Sequence, residues 1–204
     1  MIKDIYKLKY NPWFLKNFIL ILLFTISSSS VQAKTIELDI NNSKLIYTLT
    51  QFNIPFKRKA LPTTGIALIE ENKSSAGNNS ESTLLQGLDT QTRFTSKNPF
   101  FRKVIDYDHY PFLTFSSRLE NLIDLNKSNL ISISGDLTFH GVTRKAEVNL
   151  ETKHEKDYIL LTGAIIIKMS DFGITPPRFL FLRVDDKIKT KIELAISRRL
   201  CINK

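Results

Sequence analysis

Residues Gly135–Leu150 read GDLTFHGVTRKAEVNL, and this stretch decides the fold because it predicts two strands joined by a tight turn. From Ile131 to Phe139, every second residue is apolar or glycine, and the residues between them are polar or charged. Gly141 interrupts this alternation, and glycine accepts the backbone angles that a hairpin turn needs. The alternation then resumes in the second strand. A period of two residues indicates a sheet with one apolar face and one solvent-facing face.

Similar alternation recurs along the chain and predicts about eight strands. They are, in order, Thr35–Ile40, Leu45–Gln51, Gly65–Ile69, a strand that begins at Tyr110, Leu130–His140, Lys145–Lys153, Tyr158–Met169 and Lys187–Ile196. Nearly all of them have one apolar face, and little of the sequence has a helical pattern. An antiparallel barrel closes such a set of strands and removes its exposed edges. We therefore predict an all-β fold, an antiparallel eight-stranded β-barrel with one or two short helices.

Local signals predict how the first strands are connected. Asn41 and Asn42 predict a tight turn that makes the first two strands a hairpin. The polar segment Glu70–Ser82 predicts a surface loop. Asn98 is a good helix N-cap and Pro99 is a good first helical residue, so we expect a short helix there that packs on the barrel.

Three motifs, in order along the chain, resemble those of the YceI-like polyisoprenoid-binding family. Tyr110–Ser117, YPFLTFSS, is similar to that family's Y-P-x-hydrophobic-x-F-x-S strand. Leu137–Arg144, LTFHGVTR, resembles its L-T-hydrophobic-H-G-V-T-basic hairpin, and Ser170–Ile174 resembles its S-D-F-G-I turn. The resemblance covers most of the chain beyond the N-terminal leader. It implies a secreted, lipocalin-like antiparallel barrel that holds a long isoprenoid lipid.

The N-terminal residues 1–33 have the pattern of a secretory signal peptide. Several lysines precede the apolar run Phe18–Ile26, and Val31-Gln32-Ala33 is a small-residue cleavage pattern. The alternative is an uncleaved membrane anchor, but the run has 9 residues, and a spanning helix needs about 20. We predict cleavage after Ala33, a periplasmic or secreted protein, and one lipid-binding barrel domain over residues 34–204.

The apolar faces of the strands are the first candidate binding surface. An eight-stranded barrel can be filled by its own side chains or can hold one small ligand. Gly135 and Gly163 face inward and are expected to leave room. With the family resemblance, inward parity predicts that a lipid cavity is lined by Phe115, Ile133, Leu137, Phe139, Val148, Ile165, Ile167 and Ile192. The alternative is a structural or stress-related protein whose core is filled.

Polar residues of the motifs are candidates for a head-group site at the barrel rim, namely His140, Arg144 and Asp171. For His140 we favour a hydrogen-bonded turn residue, and for Asp171 a role within its turn. The alternative function is an enzyme that uses His140 or Asp171 on a lipid-like substrate. Nucleophile-elbow, phosphate-loop, dinucleotide and CxxC motifs are missing from the sequence, and its three histidines lack metal-ligand spacing. We predict no catalysis, no metal and no cofactor apart from a bound isoprenoid.

The chain carries a formal net charge of +9, and basic residues are concentrated toward its C-terminal end. Lys187, Lys189 and Lys191 share one outer strand face. This face is either simply solvated or attracted to an anionic membrane surface, at about 1 kcal/mol per basic residue. Nucleic acid is not a predicted partner, because an exported chain without basic and aromatic sheet motifs does not fit that role. The predicted partner is an isoprenoid lipid. For the lysine face we favour simple solvation, and contact with an anionic membrane surface is the alternative.

Overall fold

The computed structural model describes residues 34–51, 54–55, 59–72, 82–94, 99–179 and 182–198. The chain divides into the units Met1–Gln32 and Ala33–Lys204, and all described residues lie in the second. The predicted signal peptide is therefore outside the described residues. Among the helices that are described, none is long and apolar enough to span a bilayer.

In the described part of the chain, eleven strands form an antiparallel sheet, with one α-helix and one 3₁₀ helix between them. The strands are β1 Lys34–Glu37, β2 Lys44–Gln51, β3 Ile54–Pro55, β4 Lys59–Asn72, β5 Ser82–Arg93, β6 Phe112–Asp124, β7 Leu130–Phe139, β8 Val142–His154, β9 Tyr158–Lys168, β10 Arg178–Phe179 and β11 Leu182–Ser197. Helix α1 spans Pro99–Val104, and the 3₁₀ helix spans Met169–Phe172. The strand order is β1-β4-β5-β6-β7-β8-β9-β11-β2-β3, and a β2–β4 pairing closes the barrel. The predicted eight-stranded barrel is confirmed.

The predicted hairpin between the first two strands is wrong. Both β1 and β2 run antiparallel to β4, with Ile36 opposite Ala67 and Leu45 opposite Leu61. They therefore occupy one strand position in succession, beside β11. The segment between them leaves the sheet and returns to it, so β1 and β2 run in the same direction. The Asp39 carboxylate stabilises the turn in this segment. It accepts a hydrogen bond from the backbone N–H of Asn41 at 2.9 Å and one from the side-chain amide of Asn42 at 2.8 Å.

Strand β5 was not predicted, and the predicted loop over residues 70–82 is too long. Strand β4 continues to Asn72, and β5 begins at Ser82. A shift in the β4–β5 register between Leu68 and Ile69 breaks the regular pairing. Inward positions in β5 consequently change parity, from Thr83 and Leu85 to Leu88. A bulge of this kind erases the period-two signal. The count of eight remains right because β1 and β2 share one position.

The central hairpin forms as the sequence predicts. Strands β7 and β8 pair over ten residues, and Phe139 opposite Val142 closes the ladder. The two turn residues, His140 and Gly141, have φ angles of 51° and 73°. Two consecutive residues with positive φ match the twist of the flanking strands, as in a type I′ turn. Helix α1 also lies where it was expected, and Val104 at its end packs against the barrel core.

Candidate functional site

A cavity of about 50 Å³ lies in the middle of the barrel. One core cluster, which includes Ile36 and Leu161, packs on one side of it. A second cluster, which includes Leu61 and Met169, packs on the other side. The side chains of Phe115 and Ile165 contact both clusters. The cavity is thus an interruption of the core between two well-packed ends.

Most of the residues that parity placed inward do line this cavity. They are Phe115, Ile133, Leu137, Val148, Ile165, Ile167 and Ile192. The exception is Phe139, which belongs to the second core cluster instead. Its ring centre lies 5.4 Å from that of Phe94 and 5.7 Å from that of Phe172, so aromatic packing at the end of the barrel occupies it. Contact of the lining residues with a ligand stays a prediction.

The expectation that two inward glycines leave room in the lumen is wrong. At Gly135, a Cβ atom would lie 2.7 Å from Cζ of Phe115 and 2.5 Å from the backbone oxygen of Ser116. At Gly163, it would lie 2.7 Å from Cδ2 of Leu150. Neighbouring side chains and backbone therefore already fill the space over both glycines. Glycine permits this close packing and does not create the cavity.

Four threonines on the cavity wall were not anticipated as site residues: Thr63, Thr90, Thr92 and Thr190. The hydroxyls of Thr63 and Thr92 are hydrogen-bonded at 3.0 Å. Thr190 is 3 % exposed, and its hydroxyl has no hydrogen-bond partner among the described residues. For Thr190, the signal in the sequence was a threonine at an inward position of the otherwise apolar face of β11. The residues that line the cavity carry no formal charge.

The three predicted rim residues lie together at the hairpin end of the barrel. The ring nitrogen Nδ1 of His140 donates a hydrogen bond to the backbone oxygen of Phe172 at 3.1 Å. Nε of Arg144 donates one to the backbone oxygen of Asp171 at 3.0 Å. The His140 ring also packs against Tyr110, with ring centres 4.8 Å apart. The three sequence motifs therefore meet, and the side chains of His140 and Arg144 hold the 3₁₀ helix onto the hairpin through its backbone oxygens. None of the three rim residues lines the cavity.

The outer face of β9 and β11 carries the predicted lysines. Lys187, Lys189 and Lys191 are all exposed. Nζ of Lys191 donates to Glu193 at 2.8 Å, and Lys44 pairs with the same carboxylate at 2.9 Å. Hydrogen bonds from these two lysines lower the pKa of Glu193. Contact of this face with an anionic membrane stays a prediction. Within the described ranges, acidic, histidine and cysteine side chains form no cluster that could hold a metal ion.

Comparisons with known proteins agree with this architecture. A family model described as the YceI-like domain matches residues 69–197. The crystal structure of BcnA from Burkholderia cenocepacia has 19% sequence identity and a TM-score of 0.50, and the match covers 78% of this chain and 98% of that one. A polyisoprenoid binding domain from Saccharophagus degradans, implicated in plant cell wall breakdown, has 13% identity and a TM-score of 0.56, with coverage of 81% and 99%. These identities show a shared fold alone. A search of curated proteins gives no match.

Proposed function

Because the chain belongs to the YceI-like family, we propose that its barrel binds an amphiphilic isoprenoid lipid, of polyprenyl or isoprenoid-quinone type, and transports or stores it without a catalytic step. The observation that carries this proposal is the central cavity, whose wall is mostly aliphatic. The fold shared with the Saccharophagus degradans domain, which is described as polyisoprenoid binding, supports it. Export to the periplasm after cleavage at Ala33 and contact with anionic membranes are parts of the same proposal.

The energetics favour an apolar tail as the ligand. Each CH₂ group that leaves water contributes about 0.8 kcal/mol, so about ten buried carbons contribute roughly 8 kcal/mol before ordering costs. Pockets for small molecules usually measure about 300–1,000 Å³, and the cavity measures about 50 Å³. A tail must therefore displace side chains as it enters. Phe115, Ile165 and Ile192 suit this role because they line the cavity and are only partly buried.

The polar part of the wall favours a neutral oxygen over a charged head group inside the cavity. Burying an unpaired charge costs far more than burying a hydrogen-bonded hydroxyl or carbonyl. The wall offers threonine hydroxyls and no cation. Thr190 has a hydroxyl that is free to bond a ligand oxygen. We expect an alcohol, phenol or quinone oxygen to lie near it.

Replacing Ile165 by tryptophan tests the proposed function. The ring should occupy the cavity, so that lipid retained through purification, measured by mass spectrometry of an organic extract, falls at least tenfold from the parent level. Stability should fall by less than overpacking of a filled core would cost, because the cavity of about 50 Å³ accepts part of the added ring. Leu130→Trp is the control, because Leu130 on β7 is 67% exposed and lies away from the cavity wall. It should retain lipid like the parent.

A different outcome would contradict the carrier function. If the core is filled, the larger ring should cost about 1–3 kcal/mol of unfolding free energy through overpacking. That loss of stability, together with a parent protein that neither co-purifies with lipid nor binds added isoprenoid, would mean that the barrel is solid.

Thr190→Val tests the role of the unpartnered hydroxyl. Removing a buried hydroxyl without a partner should leave stability unchanged or raise it, because its desolvation cost disappears. The affinity for geranylgeraniol, measured by calorimetry, should fall several-fold, and the affinity for the hydrocarbon squalene should not. Thr63→Val is the control for the stability measurement, because the Thr63 hydroxyl does have a partner. Its removal leaves the Thr92 hydroxyl without that 3.0 Å hydrogen bond and should cost about 1 kcal/mol of unfolding free energy. An equal loss of affinity for geranylgeraniol and squalene would mean that the ligand's oxygen does not bond to Thr190.

A further inference from the structure

The ladder between β8 and β9 stops partway along both strands. Five residue pairs join them, from Leu150 opposite Gly163 to His154 opposite Ile159. Strand β8 nevertheless begins at Val142, where it is still paired with β7, and β9 continues to residue 168, paired with β11 throughout. Residues 145–149 of β8 and 164–168 of β9 therefore face each other without pairing. We call this gap in the wall the side window.

The side window is bounded at both ends. The pair Leu150 and Gly163 closes it toward one end of the barrel. At the other end, Arg144 on β8 donates to the backbone of Asp171, which follows β9, at 3.0 Å. Side-chain bonds to the 3₁₀ helix thus replace the missing ladder there. The gap is a limited opening and does not split the barrel along its whole length.

The inner edges of the side window are part of the cavity wall. Val148 on one edge and both Ile165 and Ile167 on the other line the cavity. Ile165 is only partly buried, and so is Ala146 on the β8 edge. The apolar lining of the cavity therefore continues into the gap. A tail that passes through it would contact aliphatic side chains along the way.

A second interruption, between β6 and β7, differs from the side window in its hydrogen bonding. These strands pair over three residues, from Thr114 to Ser116 on β6. Beyond that ladder, Oγ of Ser117 donates to the backbone oxygen of Ser134 at 2.6 Å. Ile131 and Ile133, which face inward there, are 3% and 0% exposed. Partly buried apolar residues, Leu119 and Ile123, also lie on its β6 side. The difference is that a side-chain hydrogen bond crosses this interruption, whereas among the described residues none joins 145–149 to 164–168.

The outside of the side window suits an anionic lipid surface. Ile166 is 57% exposed on its rim, and Lys189 lies opposite it on β11. Lys168 lies directly opposite Lys187, and like charges in that arrangement repel. Neither has an ion-pair partner within the described residues. The acidic residues nearby include Glu147 on the β8 edge and Asp186, whose carboxylate accepts hydrogen bonds from Ser170 just beyond the end of β9. Anionic head groups would relieve the repulsion, and the exposed isoleucine could enter the membrane surface.

We propose that the side window is the passage through which an isoprenoid moves between the cavity and an anionic membrane that docks on the lysines around it. This inference rests on the proposed function, since it needs a lipid in the cavity. Passage requires few backbone hydrogen bonds to break, because the ladder is already interrupted there. The tail slides between Val148 and Ile165, while the 3₁₀ helix and the paired part of β8 and β9 keep the barrel closed.

Cross-linking the window shut tests the passage. Glu147→Cys and Ile166→Cys, in a Cys201→Ser background, place thiols on its two rims, and bismaleimidoethane joins them. The measurement is stopped-flow transfer of anthraniloyl-labelled geranylgeraniol from phosphatidylglycerol vesicles and from cyclodextrin. Cross-linking should slow transfer from both donors at least tenfold relative to the same double variant before cross-linking. The equilibrium affinity should stay within twofold, because the cavity is unchanged.

Two controls separate the parts of the proposal. Leu130→Cys with Glu151→Cys, a directly opposed β7–β8 pair outside the side window, should transfer the probe at the same rate before and after cross-linking. Lys168→Gln with Lys187→Gln should slow transfer from the anionic vesicles at least fivefold and leave transfer from cyclodextrin unchanged.

Three outcomes would overturn the proposal, and they are distinguishable. Undiminished transfer in the cross-linked window, with the probe still bound at equilibrium, would put the passage elsewhere. If Lys168→Gln with Lys187→Gln leaves transfer from anionic vesicles unchanged, these lysines do not dock the protein on a membrane. A parent protein that binds no probe at equilibrium would refute the proposed function, and the passage with it.

Discussion

Gly135→Val is expected to lower the free energy of unfolding by about 3 kcal/mol or more, the upper end of what overpacking costs. A side chain at this position would meet the backbone oxygen of Ser116 at 2.5 Å and the Phe115 ring at 2.7 Å. The ring can move, but the backbone oxygen belongs to the short ladder that joins β6 to β7. The added methyl groups must therefore push two strands apart. Thermal unfolding should show a fall of roughly 6–12 °C in the midpoint, at 2–4 °C per kcal/mol for a domain of this size.

The matched control for this prediction is Ser134→Val. Ser134 is the preceding residue of β7 and is exposed, so valine there should change stability by less than about 0.5 kcal/mol. Adding Phe115→Ala to Gly135→Val should restore only part of the loss, because it removes the ring contact and leaves the backbone contact. A Gly135→Val protein as stable as the parent would show that β6 and β7 separate at no cost.

Gly141→Val is expected to cost about 2–4 kcal/mol, because two unfavourable effects act together. Gly141 has a φ angle of 73°, which β-branched residues rarely adopt and which costs about 1–3 kcal/mol when it is imposed. A Cβ atom there would also lie 2.6 Å from Cε1 of Tyr110. The turn holds His140 against the 3₁₀ helix, so its distortion should also loosen that end of the barrel. Chemical denaturation measures the total effect.

Two variants separate these contributions. Gly141→Asn carries the same Cβ atom, but asparagine tolerates positive φ angles, so it should cost less than valine by about 1 kcal/mol or more. Gly141→Asn combined with Tyr110→Ala removes the crowding and should be more stable than the sum of the two single changes predicts. If valine and asparagine prove equally tolerated, the turn does not depend on its positive φ angle.

Much of the cavity wall was predictable because its signal is local. Alternation along a strand fixes which residues share a face, and it placed Ile133, Val148 and Ile165 inward without knowledge of their neighbours. The same parity could not show that Phe139 lies beyond the cavity. Its position depends on the rings of Phe94 and Phe172, which are distant in sequence. Thr190 also shared the inward parity, but its missing hydrogen-bond partner depends on the three-dimensional surroundings.

The sequence by itself determined most of the strands, though not β5, and the central hairpin with its tight turn at Gly141, because these depend on residues that are close along the chain. Only the tertiary structure decided that β1 and β2 share one position and that β5 carries a bulge, because strand neighbours and register are set by distant pairings. It also decided that Phe115 fills the space over Gly135. The side window between β8 and β9 has the same origin. Both β8 and β9 have regular alternation. The gap arises because β9 stays paired with β11 and β8 stays paired with β7 where the two strands are no longer paired with each other.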